Sequence, residues 1–119
     1  MNRIKVLVVE DEPFVMMMTV SVVEEAGFEA LEADNADGAI AILESVDNIG
    51  IVLTDIDMPG SMNGLQLAAI VKKRWPLIKI VVVSGKQHPA ASELPNAGVF
   101  VAKPYNVRTM ADTLMLMSE

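Results

Sequence analysis

VLTDIDMPGSMNG, residues 52–64, follows Ile51 and carries an apolar run into Asp55, then Asp57, then a Pro-Gly turn. A strand that is apolar without alternation is buried on both faces, which is the pattern of a parallel sheet. Open parallel sheets bind ligands beyond the carboxyl ends of their strands. The two aspartates therefore fall where a site is expected, and the rest of the chain decides whether there is one.

Similar runs recur in alternation with helical patterns. Ile4 to Val9 is almost continuously apolar, and Pro13 opens a helix through about Ala26, stopped by Gly27. Phe28 to Ala33 alternates as a strand, and Asn35 or Asp37 can cap a helix to about Ser45. Ile49 to Thr54 is the third strand, and Asn63 to Trp75 is a helix stopped by Pro76. Lys79 to Val83 is a fourth buried strand, Val99 to Ala102 a fifth, and Asn106 caps a last helix through about Met117. Between them, Pro89 and Pro95 leave residues 86 to 97 room for only a short helix. Strand then helix, repeated, predicts an α/β fold with helices on both faces of the sheet and right-handed crossovers.

Composition narrows the function classes. The chain has 119 residues, 52% hydrophobic and 21% charged, which suits one globular domain spanning residues 1–119. No apolar run reaches the ~20 residues of a membrane helix, and no small-residue cleavage site follows the start, so a cytoplasmic protein is expected. Without Cys there is no disulfide, thiolate nucleophile or Cys-built zinc site. A net charge of −7 argues against direct nucleic-acid binding. Lys72-Lys73-Arg74, the one basic run, reads as cations in the last turn of a helix. The helical methionines, Met16-Met17-Met18 and Met110, Met115 and Met117, read mostly as core filler, with a Met-rich partner surface as the alternative.

The strand ends carry the chemistry. The first gives Glu10-Asp11-Glu12, the third Asp55 and Asp57, the fourth Ser84-Gly85 and the fifth Lys103-Pro104. Each is weak alone, because acidic residues after strands are often helix caps or solvated. Together they bring carboxylates, a hydroxyl and an ammonium to one sheet edge. Clustered carboxylates repel and call for a cation, and Mg²⁺ suits hard oxygen ligands alongside phosphate. The hydroxyl and ammonium then suit a phosphoryl group carried on a carboxylate, for which the central strand makes Asp55 the candidate.

The set resembles the receiver domain of bacterial two-component response regulators over essentially the whole chain. The matching residues are Glu10 and Asp11 after "KVLVV", Asp55 in "LTDIDMPG", Ser84 in "VVVSG" and Lys103-Pro104 in "VFVAKPY". The resemblance implies a flavodoxin-like (βα)5 doubly wound sheet of order 2-1-3-4-5 in a three-layer αβα sandwich. It implies that Asp55 accepts a phosphoryl group from the phosphohistidine of a histidine kinase or phosphotransfer protein. Glu10 and Asp11 would hold Mg²⁺ (or Mn²⁺) with Asp55 and the backbone carbonyl of Asp57. Lys103 would pair with the phosphoryl oxygens, before an X-Pro bond that is usually cis in the family. Ser84 and Phe100 would be the switch residues, relaying phosphorylation to the face of the fourth helix, fifth strand and fifth helix. A downstream protein or output domain would read that face, and a homodimer on phosphorylation is compatible with it.

Departures from the family sharpen further expectations. "PGSMNG" is one residue longer than the commonest family loop, and the interval from Ser84 to Lys103 is short. Asp57, Met58 and Lys86 are expected at the mouth of the site, where an Asp57–Lys86 pair would shield the phosphoryl group from water. Two other readings compete. Asp-x-Asp also opens haloacid-dehalogenase-type phosphatases, but residues 55–59 lack the usual Thr or Val at the fifth place and lie on the third strand. A phosphorylation-independent binding module of the same fold is the other. His88 reads as an exposed loop residue, Trp75 as helix-end packing, and Tyr105 as either output surface or helix-start packing.

Overall fold

The computed structural model describes residues 4–58, 60–85 and 98–118. Its strands are β1 (Lys5–Val9), β2 (Glu29–Ala33), β3 (Ile49–Asp55), β4 (Lys79–Ser84) and β5 (Val99–Ala102). All pairings are parallel, in the order β2-β1-β3-β4-β5. The described helices are α1 (Pro13–Glu25), α2 (Ala36–Ser45), α3 (Gly64–Arg74) and α4 (Val107–Met117). The last of these is the helix that the sequence reading counts fifth. The short helix expected within 86–97, together with Lys86 and His88, lies outside the described residues. No helix among the described residues is long and apolar enough to cross a membrane.

Alternate strand residues face opposite helical layers. Leu7 and Val9 of β1, with Val52, Ile80 and Val82, pack on Ala39, Leu43, Leu67 and Val71 of α2 and α3. Val6 and Val8, with Ile51, Leu53, Val81 and Val83, pack on Met16, Val22 and Val23 of α1 and Met110 and Leu114 of α4. Each aliphatic side chain so buried stabilises the fold by about 1.5–3 kcal/mol relative to exposure. Only a sheet covered on both sides satisfies two such sets at once.

Local signals set the element ends. Asn35, not Asp37, caps α2, its Oδ1 accepting from the Gly38 N–H at 2.7 Å. Asn63 and Gln66 form a reciprocal capping box at α3. Asn106 accepts from the Arg108 N–H at the start of α4. Gly27 ends the α1 region with φ of 98°, a left-handed conformation that favours glycine. In β3, Gly50 is the extra residue where the register with β1 skips between Lys5 and Val6.

Several boundaries and packings differ from expectation. β3 continues to Asp55 and β4 to Ser84, because Asp55 still pairs with Val83 and Ser84 with Ala102. The helix α3 ends at Arg74, and Trp75 is its cap, half-buried on the α2/α3 core under the Arg74 guanidinium at 4.4 Å. The methionines are the larger correction. Met16 and Met110 are buried, but Met17, Met18 and Met115 are each more than half exposed, because their positions face away from the sheet. Core packing therefore accounts for only part of the methionine content.

Candidate functional site

Backbone hydrogen bonds hold the site residues at the sheet's carboxyl edge. Glu10 N donates to Ala33 O at 3.0 Å, continuing the β1–β2 ladder, and Lys103 N donates to Ser84 O at 3.0 Å, continuing β4–β5. Asp55 closes β3 and Ser84 closes β4, so four strand ends converge. Glu10 and Asp55 are buried, at 5% and 7% exposure, while Asp11 is exposed.

The charges are tightly grouped. Lys103 Nζ lies 3.2 Å from Glu10 Oε1 and 3.4 Å from Asp55 Oδ2. Glu10 Oε2 accepts from the Glu12 N–H at 3.1 Å, tying the same carboxylate to the start of α1. Burial pushes the Glu10 carboxyl above its ordinary pKa despite the Glu12 N–H and the Lys103 ammonium, and the Asp55 charge adds to the rise. Burial works against the Lys103 ammonium, but the Asp55 and Glu10 carboxylates outweigh it and hold its pKa above the usual lysine value. One oxygen from each of Glu10, Asp11 and Asp55 lies within 4.8 Å of the others. Three hard oxygens from two strand ends, one of them solvent-facing, fit Mg²⁺ or Mn²⁺ with waters completing the shell.

The remaining residues take positions that the sequence only partly indicates. Asp57 donates its N–H to Asp55 Oδ1 at 3.3 Å, and its side chain turns to Ser84, whose hydroxyl donates to Asp57 Oδ2 at 2.9 Å. Ser84 is completely buried. Met58 is half-buried, its chain packed against the α2/α3 core and its sulfur 3.9 Å from the Thr54 hydroxyl. Phe100 is half-buried against the same core. The Lys103–Pro104 peptide is cis. An Asp57–Lys86 pair involves a residue outside the described set.

Three features escape the sequence reading. A Cβ at Gly64 would collide with the backbone carbonyl of Asp55, and Gly64 N donates to Ile56 O at 3.0 Å. The start of α3 thus packs directly on the backbone that presents Asp55. In the long loop, Gly60 has φ of 106° and Ser61 donates to both Asp37 carboxylate oxygens, at 3.2 and 3.1 Å. That bond fastens the loop to α2 and gives "GSMNG" a local role. Finally, the Tyr105 and Thr19 hydroxyls are 3.0 Å apart, so Tyr105 packs on α1 beyond the Lys103 turn. A glycine directly after the Asn63 cap is a signal for the first feature, while the other two depend on tertiary neighbours.

Similarity to known proteins agrees with this geometry. The family model described as "Response regulator receiver domain" matches residues 6–115. The chain is 31% identical over 118 residues to the nitrogen assimilation regulatory protein NtrX of Azorhizobium caulinodans, covering 96% of this chain but 25% of that protein. It is 35% identical to the sensor kinase CckA of Brucella abortus, covering 96% of this chain and 12% of the kinase. The chain thus spans a quarter or less of these relatives. Among solved structures, the response regulator protein TrrA of Thermotoga maritima, in complex with Mg²⁺ and BeF, superposes with a TM-score of 0.86 at 27% identity. That superposition covers 96% of this chain and 98% of TrrA. With the 2-1-3-4-5 sheet and the acidic edge beside Lys103, these similarities establish that the chain belongs to the response regulator receiver domain family.

Proposed function

We propose that this chain is the phosphoacceptor unit of a two-component phosphorelay, with Asp55 as the acceptor and residues 1–119 acting as one receiver. The observation that carries the reading is the Asp55–Lys103 contact of 3.4 Å inside the Glu10–Asp11–Asp55 carboxylate cluster. An oxygen of the Asp55 carboxylate forms a bond to phosphorus while the P–N bond to the donor's imidazole breaks. The imidazole nitrogen keeps the electron pair and takes up a proton. Lys103 lies where its ammonium can balance the incoming phosphoryl oxygens, and Ser84 can donate its hydroxyl proton to one of them. Glu10, Asp11, Asp55 and the Asp57 backbone carbonyl would hold Mg²⁺ or Mn²⁺, which when bound neutralises charge on the phosphoryl oxygens.

The donor is a histidine kinase or phosphotransfer protein, and the event is switching, with catalysis limited to the domain's own phosphorylation and dephosphorylation. A new dianion beside Ser84 and Lys103 changes local charge, and Phe100 on β5 carries the change toward the surface of β5 and α4. A downstream protein or output domain reads that surface in the cytoplasm, with or without homodimerisation.

Incubation with acetyl phosphate and Mg²⁺, followed by intact-mass measurement, tests this reading. One phosphoryl group per chain is expected, absent with chelator and absent in Asp55→Asn. Rapid turnover of the donor with no phosphorylated chain accumulating would indicate a phosphatase, and no reaction at all a binding module. Unchanged labelling of Asp55→Asn would remove Asp55 from the acceptor role.

A further inference from the structure

The Asp57 side chain is not needed by any step above, yet it occupies a decisive position. Its carboxylate accepts the hydroxyl proton of Ser84 at 2.9 Å, while its backbone N–H donates to the acceptor oxygen Asp55 Oδ1 at 3.3 Å. Ser84 is completely buried at the end of β4, so solvent does not readily substitute for a partner there. A serine hydroxyl has one proton to donate. A hydroxyl that donates to Asp57 cannot donate at the same moment to a phosphoryl oxygen on Asp55.

We propose that Asp57 is a positioning residue that holds the Ser84 hydroxyl in the unphosphorylated state and competes with the phosphoryl group for its single proton. This rests on the receiver reading given above. The hydrogen bond has a charged acceptor, which makes it stronger than a neutral one and biases the switch toward its resting position. Phosphorylation then exchanges one anionic acceptor for another, and the balance between them sets how completely Ser84 turns. The Asp57 side chain therefore tunes the resting equilibrium of the switch, in addition to any part its backbone plays in holding a cation.

The competition is separable from simple charge repulsion by a double-mutant cycle. Asp57→Ala, Ser84→Ala and the double variant are titrated with beryllium fluoride, a phosphoryl mimic, at saturating Mg²⁺, and binding is followed by amide NMR shifts. In the presence of Ser84, Asp57→Ala tightens binding by about 3- to 10-fold, the scale of a part-exposed charged hydrogen bond. In the Ser84→Ala background the same change gives less than about 2-fold, because no proton remains to be contested. Equal tightening in both backgrounds, or none in the first, overturns the competition while leaving the receiver reading intact. A wild-type protein that binds no beryllium fluoride with Mg²⁺ overturns both. If Asp57→Ala does not fold, Asp57→Asn replaces it in the cycle, with a smaller gain of about 2- to 5-fold and the same criterion.

Discussion

Replacing Lys103 by Met keeps most of the side chain's apolar stem and removes its charge from between two buried carboxylates. The Glu10 and Asp55 side chains are 5% and 9% exposed, and Lys103 itself 25%. At 3.2 and 3.4 Å, and an effective dielectric of about 20, each attraction is about 5 kcal/mol before the cost of burying the ammonium. Removing one partner of a buried pair typically costs about 3–5 kcal/mol, since the other charge is left uncompensated. The partial exposure of Lys103 lowers this, and the expected loss is about 2–4 kcal/mol at pH 7 in chelator. The pKa shifts fix the pH dependence. Lys103 titrates above its ordinary 10.5, so its stabilisation is present below that value and lost as pH rises through the native pKa. Glu10 already holds its proton above the ordinary 4.5, and without the ammonium it does so more strongly. Near pH 4.5 the variant relieves its excess charge by protonation, and the penalty falls to less than half. Urea denaturation of both proteins at the two pH values measures it. A loss under about 0.5 kcal/mol at pH 7, the scale of a surface pair, or a penalty undiminished near pH 4.5, would show that Lys103 does not compensate the buried carboxylates.

Other expectations follow from the same geometry. Mg²⁺ at a hundred times its dissociation constant raises stability by about 2.7 kcal/mol, chelator removes the gain, and Asp11→Asn shrinks it, as read by thermal denaturation. Glu10→Gln removes a pH dependence: from pH 4.5 up to the raised native value the folded wild type holds a proton that the unfolded chain has lost, so its stability falls as pH rises. Urea titrations in chelator across that window show a less negative slope for the variant. Gly64→Ala, whose Cβ meets the Asp55 carbonyl, costs about 1–3 kcal/mol in denaturation and slows phosphorylation by displacing the acceptor. Tyr105→Phe strips the Thr19 hydroxyl of its partner and costs about 0.5–1.5 kcal/mol in denaturation, while Thr19→Val with Tyr105→Phe costs less than the sum of the two.

The sequence reveals most of the fold because strand burial and helix capping are local properties. Apolar runs such as Ile51-Val52-Leu53, and caps such as Asn35, Asn63 and Asn106, mark each element to within a residue or two. The grouping of Glu10, Asp11, Asp55 and Lys103 is legible for the same reason: backbone pairing at strand ends dictates it, whatever the side chains do. Side-chain direction is another matter. Identity alone does not tell that the Asp57 carboxylate accepts from Ser84, or that Met58 packs against the core. Those choices depend on neighbours from β4 and the α2/α3 layer. The Tyr105–Thr19 bond spans 86 positions and leaves no periodic trace. Exposed Met17 and Met18 share a helix and a residue type with buried Met16, and only the helix's rotation on the sheet separates them.

Asp55 is the residue expected to carry the phosphoryl group. An acyl phosphate is reduced by borohydride, which converts the modified aspartate alone to homoserine. After reaction with acetyl phosphate and Mg²⁺, reduction and peptide mass spectrometry, homoserine is expected at position 55, and only there. Homoserine at position 11 or 57, or none in a phosphorylated sample, would show that Asp55 is not the acceptor.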